Sequence, residues 1–497
     1  MPETVLRTIF WLLLCGQVYA CRRGLTVAAA YFLVVAPLNH FALPAFGGLW
    51  SLDRCCGAVL CAAALVRWPI RHFKGTNYGA YVLFVAYGVA ATVAYSAVWP
   101  VSAISDVTGL HSYLRGDVQI ANWLLFAAVG VILAGALRAG NALRELRRRV
   151  LWGAWPLCLY ALYQQIAYRT GLPLTGILAP QGEIFATFDF AGHSYYRSTA
   201  FMGEPKSLGL CCVIYMALQL SLMDTKYGRR GREWARLAVV IATLFATWST
   251  SAWAGGALCV LIYVATVVLR LNRHRVALLA MSVLAVLGLL VAQTGDQFAE
   301  AGTGIVSAGN ERFRGRLGRG PLEDFVEVIS AQILTDNPLF VLTGCGLGGI
   351  SFYIAQELGS TQQEVVLAPN NGLLSWISQV GVVGLLLLLV SVWPGIRGLI
   401  FGTSPPQQRA CAFVGLVCLM QMFIFSGGFY VFSVACGFLL AAYSRGRPER
   451  IQRSARFASA NGSRTTPSSP RVAPLVGRLD RRLPAMVRSS AIVDVQV

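Results

Sequence analysis

The chain is cut into long apolar runs by short basic loops, and that alternation leaves few folds open to it. Apolar runs lie near 4–21, 25–46, 55–68, 78–99, 118–137, 150–168, 207–223, 236–252, 253–270, 275–293, 371–393, 409–426 and 428–444. A helix needs about 20 residues to cross the hydrocarbon core, and several of these runs are shorter, the first, the third and the final pair being the weakest spans. Composition agrees: 56% of residues are hydrophobic and 13% charged, against roughly a quarter charged in soluble domains. The expected fold is an all-α integral membrane protein with about 12–13 transmembrane helices.

The net charge of +19 could point to nucleic acid, but its placement does not. Arg22 and Arg23, then Arg67, Arg71 and Lys74, then Arg138, Arg144 and Arg147 to Arg149 sit in short loops. So do Lys226, Arg229, Arg230, Arg232 and Arg236, and then Arg270, Arg273 and Arg275. If every run spans, these loops share one side, which the positive-inside rule makes the cytoplasm. The domain order expected is N-terminal spans over 1–168, an outer loop over 169–206, central spans over 207–293, a large, partly helical outer loop over 294–370, C-terminal spans over 371–444, and a tail over 445–497. The tail, rich in Arg, Ser and Pro, is expected to be a disordered cytoplasmic segment resting on anionic lipid rather than binding nucleic acid. Arg312, Arg314, Arg316 and Arg319 fall in the second outer loop, against the charge rule, and that placement points to an anion there.

The 13 cysteines lie mostly inside apolar runs, where cysteine acts as a small hydrophobe, and no metal-ligand spacing appears. The first apolar run is followed by Cys21, Arg22, Arg23 and another long run, so a retained helix is expected rather than a cleaved leader.

Three segments on the expected outer face carry chemistry. The first, from Tyr196 to Ser207, holds Arg197, Glu204 and Lys206 between apolar runs. Charges at such a boundary are costly unless they face water, a partner or a substrate. Glu204-Pro205 also reads as a helix start, with Glu204 a cap and Arg197 its ion-pair partner. The second, Asn337 to Gly349, is rich in glycine and reads as a tight packed turn or as a phosphate loop, without the Lys-Ser/Thr of a P-loop. In the third, Asn370 and Asn371 precede an apolar run, as helix caps or as ligands of sugar hydroxyls. His193 lies just before the first segment, and Glu323-Asp324 open an amphipathic stretch with Phe325, Val328, Ile329 and Ile333 expected on one face.

In this order and on one face, the three segments resemble the O-antigen ligase and O-antigen polymerase superfamily over roughly residues 120–445. The family's Pro-x-x-Gly-x-Gly run is similar to Pro338 through Gly346. Its His-Asn-x-x-Leu…Glu-x-Gly-x-x-Gly run is similar to Asn370 through Leu374 with Gln379 through Gly384. The Arg-x-x-x-Phe-x-Glu-Pro pattern of the polymerase branch resembles Arg197 through Pro205, with one residue more between Phe201 and Glu204. The ligase branch carries a histidine where Asn370 stands and an acid where Gln379 stands; asparagine is no general base, so the resemblance favours the polymerase branch.

The resemblance implies a metal-independent glycosyltransferase of the bacterial inner (cytoplasmic) membrane that needs no cofactor. It would polymerise undecaprenyl-pyrophosphate-linked oligosaccharide repeats into a surface or exopolysaccharide chain. A pyrophosphate leaving group needs positive charge more than an acid. Arg197 is the first choice for that role, with Lys206 and the arginines at 312, 314, 316 and 319 assisting at the substrate beside Asn370 and Asn371. Glu204 is the expected base and His193 the second. Implied partners are the lipid-linked substrates, membrane lipids, and chain-length and export proteins, with no nucleic acid. Two alternatives stand: an O-antigen-type ligase that moves the glycan to a lipid or protein acceptor, and a transporter or flippase for the lipid-linked glycan. The flippase predicts charges buried in mid-span and paired broken helices.

Overall fold

The computed structural model describes residues 3–38, 51–68, 78–100, 114–138, 142–172, 187–190, 193–202, 204–223, 231–268, 323–357, 369, 371–401, 404–425 and 428–443. Six helices come first: α1 (Glu3–Arg23), α2 (Leu25–Val35), α3 (Leu52–Arg67), α4 (Gly79–Ser96), α5 (Arg115–Arg138) and α6 (Ala142–Thr170). A hairpin of β1 (Thr187–Phe190) and β2 (His193–Tyr196) follows. Then come α7 (Pro205–Met223), α8 (Gly231–Ala246) and α9 (Thr250–Tyr263), which runs on as a π-turn over Val264–Val268. The last group is α10 (Glu323–Asp336), α11 (Pro338–Thr343), α12 (Ile350–Glu357), α13 (Gly372–Ile400), α14 (Pro406–Phe425) and α15 (Gly428–Ala442).

The chain is a helical membrane protein by the length and apolarity of these elements. Three helices, α4, α5 and α13, are each long and apolar enough to cross a membrane. Large apolar side chains also lie bare on the helix bundle. Leu65 and Val66 on α3 are 88% and 84% exposed, and Trp152, Leu159 and Ile166 make an exposed stripe along α6. A soluble surface seldom carries so much contiguous apolar area; lipid is the solvent that suits it.

The interior is close-packed. Trp123 of α5 stacks on Phe432 of α15 with centroids 5.0 Å apart and planes 9° apart, and Phe84 of α4 meets the same indole edge-on at 5.1 Å. The indole nitrogen donates to the Val85 carbonyl at 3.0 Å, so the buried polar atom is satisfied. Helices α5 and α15 pack closely because a glycine sits on each: a Cβ on Gly437 would fall 2.7 Å from Leu133 Cβ, and one on Gly130 3.3 Å from the Ser433 carbonyl.

The structure corrects several expected boundaries. The basic segment 138–149 is not a loop throughout: Arg144 and Arg147 to Arg149 lie in the first turns of α6, which continues through Pro156. Ion pairs of Glu145 with Arg148 and Arg149 suit that helical spacing. The division between the eighth and ninth runs falls at 247–249, not at 252–253. The described residues fit the expected all-α membrane fold; the one sheet among them is the short antiparallel β1–β2 hairpin in the 169–206 connection, with Phe190 opposite His193. On α10 the expected Ile333 is buried and Ile329 half-buried, alongside buried Val326, Ser330 and Leu334, whereas Val328 is 62% exposed and the side chain of Phe325 lies outside those described. The run at 275–293 and the tail at 445–497 lie outside the described residues.

Candidate functional site

The segment that follows β2 does not lie over the helices; it enters among them. Ser198 Oγ donates to the Ala161 carbonyl of α6 at 2.7 Å. Ala161 is nine residues short of Thr170, so this contact sits about 13 Å inside the helix end at 1.5 Å per residue. Buried non-helical backbone must have its polar groups met by partners. Two adjacent amides of α6 do this. Gln165 Nε2 donates to the Tyr196 carbonyl (2.9 Å), to Ser198 Oγ (2.9 Å) and to the Ala246 carbonyl of α8 (3.0 Å). Gln164 Oε1 accepts from Thr199 N–H (3.2 Å) and Ala200 N–H (2.9 Å). Ser198 N–H also donates to the Ala246 carbonyl at 2.9 Å, tying the segment to the turn between α8 and α9.

That locus holds both non-glycine residues with a left-handed backbone among the described residues: Ala200 (φ 48°) and Trp248 (φ 47°). Each such residue costs of order 1–3 kcal/mol and persists where its surroundings over-determine it. At Ala200 the two bonds to Gln164 and the turn bond from Met202 N–H to the Thr199 carbonyl (3.0 Å) supply the restraint. Phe201 stacks on Tyr160 with centroids 4.5 Å apart. Around Trp248, Thr247, Ser249 and Ser251 are buried hydroxyl residues, with Ser249 Oγ and Ser251 Oγ sharing a hydrogen bond at 3.1 Å.

Arg197 rides on this segment and is 8% exposed. Its neighbour Tyr196 is buried and stacks on Tyr168 at 5.1 Å, and its hydroxyl has no hydrogen-bond partner among the described residues. Burial first, and then the nearby Tyr160, push the Tyr196 phenol up to about 12, so it stays a neutral donor at physiological pH. Glu204 is exposed where α7 begins, and its carbonyl accepts Leu208 N–H at 3.3 Å. Lys206, half-buried, lies in the first turn of the same helix. His193 opens β2, and only its backbone is described.

The glycine-rich segment is a second insertion. Three glycines with left-handed backbone, Gly344 (φ 76°), Gly346 (φ 87°) and Gly348 (φ 76°), turn the chain from α11 into α12. The turn fits into a break in α13, where Gly381 departs from helical geometry (φ 64°, ψ −178°). A Cβ on Gly344 would strike the Gln379 carbonyl, and one on Gly381 the Leu342 carbonyl. Cys345 N–H donates to the Ser378 carbonyl at 2.8 Å, and its thiol to the same oxygen at 3.0 Å. From α4, Tyr87 OH donates to the Thr343 carbonyl (2.9 Å) and Thr92 Oγ1 accepts Leu347 N–H (2.9 Å); just past that helix, Trp99 Nε1 donates to the Cys345 carbonyl (2.8 Å). These glycines allow backbone to meet backbone, which is the packed-turn reading rather than the phosphate-loop reading.

Asn371 caps α13, its side-chain oxygen accepting Leu374 N–H at 3.1 Å. Asn370, Arg312, Arg314, Arg316 and Arg319 lie outside the described residues. The structure thus holds Arg197, Glu204 and Lys206 along one segment and sets Asn371 on another element. Sequence reasoning missed Gln164 and Gln165, whose only signal was a pair of amides inside an apolar run. It quoted Gly381 within a motif without reading the helix break there. Among the described residues no group of acidic, cysteine and histidine side chains could hold a metal ion. No protein-family model matches the chain, and no curated protein matches it either.

Proposed function

We propose that this chain is a metal-independent membrane glycosyltransferase that polymerises undecaprenyl-pyrophosphate-linked oligosaccharide repeats. The observation that carries the reading is the 196–202 segment. It is a strained, side-chain-clamped strip of backbone set inside a helical membrane protein, bearing a buried arginine and, one residue earlier, a buried tyrosine whose hydroxyl has no partner among the described residues. Arginine offers forked donors to phosphate. Donors fixed before the substrate arrives stabilise charge on a leaving pyrophosphate without reorganising. In this scheme the pyrophosphate of the donor lipid meets Arg197 and Lys206, assisted by the arginines at 312–319. A hydroxyl of the second lipid-linked repeat attacks the anomeric carbon as Glu204 takes its proton. The scheme carries with it about 12–13 spans, outer loops at 169–206 and 294–370, a cytoplasmic tail and an inner-membrane location.

The break in α13 favours a second reading, a flippase, because interrupted spans are a transporter device. Here the break is filled by the protein's own Gly344 and Cys345, which leaves the polymerase reading ahead. The lipid-linked glycan that accumulates when the protein is removed tests all three readings. A polymerase leaves single repeats on the outer leaflet. A ligase leaves finished polymer on the lipid. A flippase leaves single repeats on the inner leaflet, and either of the last two results overturns the proposal.

A further inference from the structure

The glycine-rich insertion is buried on one side only. Its course can be read against α4, with that helix as a ruler at 1.5 Å per residue. Phe340 meets Tyr95 edge-on at 5.5 Å, next to the end of α4 at Ser96. Gly346 lies deeper. A Cβ there would fall 2.9 Å from Thr92 Cα and 3.5 Å from the Ala91 carbonyl, about 6–7 Å inside the helix end. Phe352 is back beyond that end, stacked at 5.0 Å on Trp99. The chain thus descends along α4 and returns to the side it came from. The two helices it touches, α4 and α13, are both long and apolar enough to span.

The buried side has its backbone met by protein. Besides the bonds from Tyr87, Thr92 and Trp99, Gly344 N–H donates to the Phe340 carbonyl at 2.8 Å and Gly349 N–H to the Gly346 carbonyl at 3.1 Å. Re-entrant backbone is tolerated in a bilayer on that condition. The other side is apolar and bare. Leu339 and Leu342 stand at i and i+3 on α11 and are 58% and 52% exposed, while Phe340 of the same helix is buried. This surface runs on into those of the flanking helices. Next to Gly381, which meets the Leu342 carbonyl, α13 exposes Val382, Val383 and Leu386, and next to Thr92 α4 exposes Val93. The exposed polar residues lie at the two ends: Gln332, Thr335 and Asp336 before α11, and Gln356 and Glu357 at the close of α12.

We propose that residues 338–349 form a re-entrant hairpin whose α11 leucines lie in lipid hydrocarbon, in the leaflet at the Ser96 end of α4. By the positive-inside rule that leaflet is the outer one, so the expected outer loop 294–370 holds a stretch that goes back into the bilayer. Water would leave two leucines bare beside an apolar surface already large. Lipid covers them together with Val382, Val383 and Leu386 of the adjoining span, with no further partner. Lipid contact here rests on the membrane reading and not on glycan polymerisation, so either can fail alone.

The test is nitroxide accessibility in the full chain, reconstituted in vesicles of phosphatidylethanolamine and phosphatidylglycerol. Cys15 and Cys61, the two cysteines that are not buried, are replaced by serine. A spin label is then attached through Leu339→Cys or Leu342→Cys, with exposed Thr335→Cys as the water reference and Leu386→Cys as the lipid reference. Relative to position 335, the label at 342 should collide several-fold more with molecular oxygen than with a water-soluble nickel chelate, matching position 386. Position 339, nearer the end of α4, should fall between. Preference for the nickel chelate at both positions would mean water, and shielding from both reagents would mean a protein cover; either overturns the hairpin's lipid contact. In parallel, Leu342→Asp should lower the yield of folded, membrane-inserted chain several-fold, because a carboxylate in hydrocarbon is costly. Thr335→Asp and Leu342→Ala should leave that yield unchanged. Equal yields of Leu342→Asp and Thr335→Asp would overturn the proposal as well.

Discussion

Segments 196–202 and 344–349 are both non-helical backbone set among helices, yet they are held by different means. Amide side chains of α6 reach out to the first: Gln164 and Gln165 take up the backbone of Tyr196, Thr199 and Ala200. In the second, backbone lies directly on backbone, with Gly344 against Gln379 and Gly381 against Leu342, and aromatic groups such as Tyr87 and Trp99 close the edges. The first accepts a left-handed alanine and carries a buried arginine. The second meets its left-handed positions with glycine alone and carries no charged residue. Strain kept together with charge is what a binding or reacting segment shows. Glycines at points of backbone contact serve packing. Under the proposed function the contrast puts the chemistry on the first insertion and leaves the second to architecture.

The largest effect should come from breaking the architectural side. Gly381→Val would add a β-branched side chain at φ 64° against the Leu342 carbonyl, at a cost of roughly 3 kcal/mol or more. The variant should fail to run as a single species in size-exclusion chromatography, and a well-folded one would erase the contrast. Next, Arg197→Ala should reduce chain growth by about a hundredfold or more while protein levels stay normal. Glu204→Gln should do the same if Glu204 is the base, and glycan ladders on a gel read both. Full-length ladders from the two variants would sink the assignment.

Gln165→Leu removes the donor to Tyr196, Ser198 and Ala246 and should cost about 1–3 kcal/mol of stability. A shortened ladder from the surviving folded protein would show that the clamp positions Arg197, whereas a normal ladder at lowered melting temperature would make it structural only. The smallest effect belongs to Asn371→Ala, which deletes the α13 cap for about 1 kcal/mol. Its ladder should be unchanged, and a lost ladder would move chemistry toward α13.

Much of the helix pattern was legible because apolar runs and breakers are local signals. The expected starts at 78, 207, 371 and 428 fall within about two residues of α4, α7, α13 and α15. Errors gathered where local signals conflict. The arginines at 144–149 look like a loop by charge, yet Glu145 pairs with Arg148 and Arg149 at helical spacing and α6 begins before them. Glu204-Pro205 announced the start of α7, and Asn371 the start of α13. Nothing local marked Gln164 and Gln165 as a clamp, because a glutamine pair in an apolar run reads the same whether it meets backbone, lipid headgroup or water.

By itself the sequence determined the class of protein, the places where most helices run, and the segments that carry charge, since length, hydropathy and capping act over a few residues. Tertiary structure alone decided which non-helical segments enter the helix layer and what meets them there. The contacts responsible join residues far apart in the chain: Gln165 with Ala246 across 81 positions, Trp99 with Cys345 across 246, and Tyr87 with Thr343 across 256. A buried backbone group must find a partner wherever the fold brings one, and only the folded chain says where that is.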